Sequence, residues 1–217
     1  MIGNCKIHGL WSTPELGVSK GCPKCLLLPP EPPGVTVVAG QDLAKHRDFA
    51  TYVSLAIQDE VATVKWLYRW PHTDYSIVMR DTCKFYKDDG CRNLGVDING
   101  VGEPIVEQYQ AMDVHVTGIP FTLVTKDEMI MYTRNLLQRK RAGTPPFLEL
   151  PKSGKFVDEL LTQMKEQERI IGALERPHYG PPPDRHDDLF WALNIACYVA
   201  RPYLSNPYWV MGPGYPR

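Results

Sequence analysis

Three strand-like runs stand in a row before the chain begins to alternate between helix and strand patterns. That order restricts the fold more than any other feature of the sequence. Val35-Thr36-Val37-Val38-Ala39-Gly40 is short and β-branched, the pattern of a buried strand. Thr51 to Ile57 and Ala62 to Trp70 alternate apolar and polar residues and predict two more strands, the first two joined as a hairpin and the third beside them. Asp74 predicts an N-cap for a helix carrying Ile77, Val78, Cys83, Phe85 and Tyr86. Asn93 to Asp97 is a fourth strand. Pro104 opens a helix through about Met112. Val114 to Gly118 is a fifth strand, and Lys126 to about Arg141 is a helix that Gly143-Thr144-Pro145-Pro146 ends. Two further helices follow, Phe156 to Ile171 and Asp187 to Arg201. The last carries Leu189, Ala192, Leu193, Ala196 and Val199 on one apolar face. Three strands followed by alternation predict an α/β fold, a mixed sheet with helices on both faces.

Proline marks the joints. Pro29-Pro30-Glu31-Pro32-Pro33-Gly34 is a stiff linker. It separates a Cys/His segment at 1–28 from a main domain expected over 35–204. A tail at 205–217 is rich in Pro, Gly and aromatic residues. The 217 residues allow one such domain with a small appendage. With 24 basic and 25 acidic residues the formal charge is −1, which excludes a uniformly basic nucleic-acid coat but not a local basic face. The longest apolar runs fall short of the roughly 20 residues a membrane span needs. Met1-Ile2-Gly3-Asn4-Cys5 has no basic-then-apolar leader. An intracellular protein without a membrane partner is expected.

Carboxylates sit at the ends of the expected elements. Asp42 follows the first strand, Asp97 ends the fourth, and Asp187-Asp188 opens the last helix. In a mixed sheet these ends can converge at one edge. Carboxylates gathered there repel one another and need a cation. Hard divalent ions such as Mg²⁺ or Mn²⁺ take oxygen ligands. Two of them about 4 Å apart can activate a water and stabilise the leaving oxygen of a phosphodiester. Taken singly, each position also has an ordinary reading. An Asp after a strand is a common turn residue, and an Asp before a helix is a common N-cap. Gly100-Val101-Gly102 lacks the third glycine of a dinucleotide fingerprint, and Gly154-Lys155 lacks the glycine spacing of a nucleoside triphosphate loop.

The text around these acids resembles the nuclease domain of phage terminase large subunits, within the ribonuclease H-like superfamily. Gly40-Gln41-Asp42-Leu43-Ala44-Lys45-His46-Arg47-Asp48-Phe49 is similar to its opening, and Gly95-Val96-Asp97-Ile98-Asn99-Gly100-Val101-Gly102-Glu103-Pro104 to its second acidic strand. Gly118-Ile119-Pro120-Phe121-Thr122 and Lys126 fit the continuation. Arg185-His186-Asp187-Asp188-Leu189-Phe190-Trp191-Ala192-Leu193 resembles the closing acidic helix. The blocks occur in the family's order and span about Val35 to Ala200. The resemblance implies Asp42, Asp97 and Asp188 as Mg²⁺ or Mn²⁺ ligands with Asp187 beside them, Asp188 being favoured of that pair. It implies a metal-dependent endonuclease cutting double-stranded DNA by two-metal chemistry, in viral genome packaging or processing. The host cytoplasm is then the expected place of action. The family's ATPase motor does not precede these blocks, so packaging-motor activity is not carried over; a separate terminase ATPase or portal subunit is the partner implied. A branched-DNA resolvase or an RNA-hybrid nuclease of the same superfamily, and an inactive zinc-bearing scaffold for virion assembly, are the alternative functions.

Cys5-x2-His8 and Cys22-x2-Cys25, with thirteen residues between, form two chelating pairs. Together they supply the four ligands of a tetrahedral structural Zn²⁺. A segment this short has no room for a core, so the metal would supply folding energy. Between Lys126 and Lys155, seven basic residues stand against three acidic ones. Arg139, Lys140, Arg141, Lys152 and Lys155 are the expected DNA contacts, with a solvated helix face as the plainer reading. His186 has two open roles, phosphate contact or helix cap. Trp66, Tyr68 and Trp70 are expected to pack on the sheet.

Overall fold

The computed structural model describes residues 2–5, 9–12, 34–43, 49–99, 102–138, 146–171, 177–183 and 185–204. The chain forms two compact units, Met1–Val35 and Thr36–Arg217. In the first, β1 (Ile2–Cys5) and β2 (Gly9–Ser12) form an antiparallel hairpin in which Cys5 pairs with Gly9.

The second unit is built on β3 (Thr36–Asp42), β4 (Thr51–Gln58), β5 (Val61–Arg69), β6 (Cys91–Asp97), β7 (Val116–Ile119) and β8 (Leu148–Glu149). They form one sheet in the order β7-β6-β3-β4-β5-β8. β3, β4 and β5 are antiparallel neighbours; β6 lies parallel to β3, β7 to β6, and β8 to β5. This is the mixed sheet the periodicity predicts. Asp59 and Glu60 join β4 to β5 with φ of 50° and 65°. Two positive φ values make a type I′ turn, whose twist suits a hairpin. Neither residue is glycine, so the turn carried no strong signal.

Among the described residues, five α-helices complete the unit: α1 (Tyr75–Asp88), α2 (Gly102–Ala111), α3 (Leu123–Gln138), α4 (Val157–Glu166) and α5 (Asp188–Ala200). They cover both faces. Strand side chains alternate between faces, so Val37, Ala39 and Gln41 of β3 point one way and Val38, Gly40 and Asp42 the other. Gln41 donates to Thr82 of α1 at 2.8 Å and accepts from Tyr109 of α2 at 2.5 Å, which puts α1 and α2 on its side. α5 lies on the opposite side. A Cβ on Gly40 would collide with the Ala192 carbonyl and the Ala196 amide, and one on Gly95 would stand 2.6 Å from Ile195 and 2.8 Å from Val199. Absent side chains at these two strand positions let the helix settle on the sheet. The core on this face joins Val38, Val53, Leu55 and Ile57 to Leu189, Leu193, Ile195 and Val199.

Several elements differ from the sequence expectation. The expected helix over 156–171 is the shorter α4, and Glu168–Ile171 forms strand β9, paired with β10 (Pro177–Gly180) in a separate hairpin. The apolar spacing of α4 continues into β9, so periodicity alone ran them together. α5 is buried around nearly its whole circumference rather than on one face, because α3 and α4 pack behind it. Asp74 occupies the N-cap of α1, but its side chain makes no capping bond; its carbonyl accepts from Ile77 and Val78. Tyr68 and Trp70 pack against Phe85 of α1, as expected for sheet packing. No helix among the described residues is long and apolar enough to cross a membrane.

Candidate active site

Strand direction brings the first two acids to one edge. β3 and β6 run in parallel with Gln41 beside Val96, so Asp42 and Asp97 end neighbouring strands at the same side of the sheet. Alternation turns both toward α5, since Gly40 and Gly95, two positions earlier, face that helix. β4 starts at this edge, with Thr51 directly opposite Asp42. The Thr51 hydroxyl donates to the Asp188 carbonyl at 2.8 Å. That bond ties the first turn of α5 to the strand beside Asp42.

The four acids meet electrostatically at Asp42. Burial and then the charges of Asp188, Asp97 and Asp187, in that order, raise its pKa well above the usual carboxylate value; Lys126 opposes them.

The ordinary readings fare differently at each position. Asp42 is the last residue of β3 and remains paired with Thr51, so it is not a turn residue. Asp97 does make a turn contact, accepting the Asn99 amide at 2.7 Å; Asn99 in turn donates to the Phe121 carbonyl at 2.9 Å. Asp187 is at the N-cap of α5, but its side chain does not cap the helix. Its Oδ2 instead accepts from Trp191 Nε1 at 2.8 Å and Gln167 Nε2 at 3.2 Å. Asp188 is buried, at 4% exposure, and acts on Asp42 more strongly than its neighbour does.

Among the described residues, Lys126 supplies a positive charge that acts on Asp42. Its Nζ lies 5.0 Å from the Phe121 ring centre and 4.5 Å from that of Trp191, rings that pack 5.2 Å apart. Cation–π attraction to both holds the ammonium in place. Thr51, Gln167 and Trp191 are supporting residues that sequence reasoning passed over. For Trp191 a signal existed, because it lies one helical turn after Asp187.

Among the described residues, no group of three or more His, Cys, Asp or Glu side chains is placed to hold a metal ion. The chemistry of Asp42, Asp97, Asp187 and Asp188 suits a hard divalent ion, since every candidate donor is a carboxylate oxygen. Of the expected zinc ligands, Cys5 ends β1, and His8, Cys22 and Cys25 lie outside the described residues. Arg139, Lys140 and Arg141 also lie outside them. Lys152 and Lys155 are exposed in the segment before α4.

No family model matches the chain, and no curated protein does. Solved structures do. The large terminase nuclease of thermophilic phage G20c with bound magnesium aligns with a TM-score of 0.65 at 19% identity, over 77% of this chain and 82% of that one. The large terminase nuclease domain of Thermus phage P74-26 aligns at 0.62 and 17% identity, over 76% and 80%. The nuclease domain of the large terminase subunit gp2 of bacterial virus Sf6 aligns at 0.60 and 13% identity, over 75% and 87%.

The chain has the fold of the large-terminase nucleases.

The G20c nuclease has also been solved with cobalt, and a point mutant of the Sf6 domain with manganese and with calcium.

Proposed function

We propose that this protein is a metal-dependent endonuclease that hydrolyses phosphodiesters of double-stranded DNA, as a terminase nuclease in viral genome packaging or processing. The observation that carries the reading is the convergence of acids at one edge of a terminase-nuclease fold: Asp42 and Asp97 end neighbouring parallel strands, and Thr51, opposite Asp42, holds the first turn of the helix that carries Asp188. Asp42, Asp97 and Asp188 would hold two divalent cations, Mg²⁺ or Mn²⁺, with Asp187 beside them. Such ions supply an activated water and charge stabilisation for the leaving oxygen.

The chain's own residues set up that chemistry. Asp42 and Asp97 are fixed by strand register, which is stiffer than a loop. Asp188 is fixed by Thr51 through its backbone. Trp191 and Gln167 aim Asp187. Lys126 lowers the cost of charging Asp42 and offers a donor to anionic phosphate oxygen. A separate ATPase or portal subunit would deliver the DNA, and Lys152, Lys155 and Arg139 to Arg141 would contact its backbone.

The test is plasmid cleavage by purified protein in Mn²⁺. Supercoiled plasmid should be converted to nicked and linear forms. Asp97→Ala should lower this activity by about a hundredfold to a thousandfold while its circular dichroism stays unchanged. Intact plasmid across Mg²⁺ and Mn²⁺ would sink the reading. Faster cutting of four-way junctions or RNA–DNA hybrids than of linear duplex would keep the chemistry and change the substrate.

A further inference from the structure

We propose that Lys155, Arg69 and His72 form a track of N–H donors, the first two cationic, that holds backbone phosphates of a nucleic-acid strand and leads that strand to the acid edge. The inference rests on the nuclease reading and adds a substrate-positioning surface to it.

Register supplies the starting point. Asp42 pairs with Thr51, and Thr51 pairs with Arg69, so the three lie in one row across β3, β4 and β5. Direct partners in antiparallel strands share a face, which puts Arg69 on the same side as Asp42. Aromatic rings then link these side chains. The Arg69 guanidinium lies 4.2 Å from the Phe49 ring centre and 5.8 Å from that of Phe156. Lys155 Nζ is 5.0 Å from the same Phe156 ring. Phe49 also meets His72 at 5.1 Å, tilted by 31°, and His186 at 5.1 Å edge-on. His186 directly precedes Asp187 and Asp188. Contacts therefore run from Lys155 through Phe156, Arg69 and Phe49 to His72 and His186, and so to the acids.

The rings do not read bases here. A guanidinium already covers the Phe49 face, so the ring's part is to hold cations by its quadrupole. Glu159 pairs with Arg69 through Nη1. A guanidinium has five N–H donors in a planar fork and can serve a carboxylate and a phosphate together. His72 and Lys155 are exposed at the two ends. Two spaced cations and a histidine N–H fit a polyanion of regular charge. Duplex DNA carries about one negative charge per 1.7 Å of axis.

Binding of a short fluorescent duplex to the full chain, measured in Ca²⁺ over a range of salt, tests the track. His72→Ala with Lys155→Gln should weaken binding about tenfold. The slope of log affinity against log salt should shrink by about 0.9 for each phosphate the variant no longer neutralises. In Mn²⁺ cleavage the same pair should raise KM and leave kcat in place, because the track grips the strand away from the reacting bond. Arg69→Gln should behave alike if it folds; the exposed pair decides the matter if it does not. Lys87→Ala, at the far end of α1, should bind like wild type. Wild-type affinity and slope in the double variant would overturn the track. So would an equal loss in Lys87→Ala, which would mean diffuse attraction. Wild-type protein that neither binds nor cuts DNA would instead remove the nuclease reading itself.

Discussion

Gly40 and Ala192 lie so close that a β-carbon on the glycine would collide with the Ala192 carbonyl oxygen. This approach of strand to helix fixes the depth of α5 on the sheet. It thereby sets where Asp188, one turn before Ala192, stands relative to Asp42, two residues after Gly40. Gly40→Ala should lower stability by about 3 kcal/mol, because the neighbours are backbone atoms that cannot rotate away. Thermal unfolding measures the loss. Plasmid cleavage below the melting range should fall further than the folded fraction, since any variant that folds must lift α5 from the acid edge.

Lys126 is a counter-charge to the acids. Lys126→Ala removes a group that eases ionisation of Asp42 and takes the ammonium away from Phe121 and Trp191. Cleavage should fall about a hundredfold, the usual loss for one electrostatic donor at a reacting centre. Lys126→Arg should recover part of it. Single-turnover kinetics at saturating Mn²⁺ would separate this loss from weaker metal binding.

On the other face of the sheet, Asp89 accepts from Ser54 at 2.9 Å and pairs with Lys65 at 3.3 Å. Burial still dominates and raises its pKa above the ordinary value, against Lys65 and Ser54. The folded state therefore holds this proton more tightly than the unfolded one. Stability from this group is present below its unfolded pKa, about 3.9, and is lost as pH rises through the raised folded value. Denaturant midpoints across that window should show a decline for wild type that is flatter in Asp89→Asn. Equal slopes would remove the assignment.

Cys83, Cys91 and Cys197 are buried free thiols of the second unit. Burial pushes Cys91 and Cys197 up to about 12, which makes both poor thiolate ligands. We expect one zinc per chain, held by Cys5, His8, Cys22 and Cys25. Cys22→Ser with Cys25→Ser should abolish it, as metal analysis of the purified protein would record. Zinc retained by that variant would exclude the four-ligand site.

The sequence alone determined the fold class, because strand and helix periodicities are local and each run needs only its own side chains to show. It also singled out Asp42, Asp97, Asp187 and Asp188, through a resemblance spread over blocks in family order. It did not separate α4 from β9, whose apolar spacings join, or reveal the Asp59-Glu60 turn, which lacks glycine. What only tertiary structure decided was adjacency. Thr51 and Asp188 are 137 positions apart, and Lys126 and Asp42 belong to different layers. Parallel pairing of β3 with β6, and a helix lowered onto two glycines, bring such residues to one edge. That proximity comes from packing between distant segments, so no local pattern encodes it.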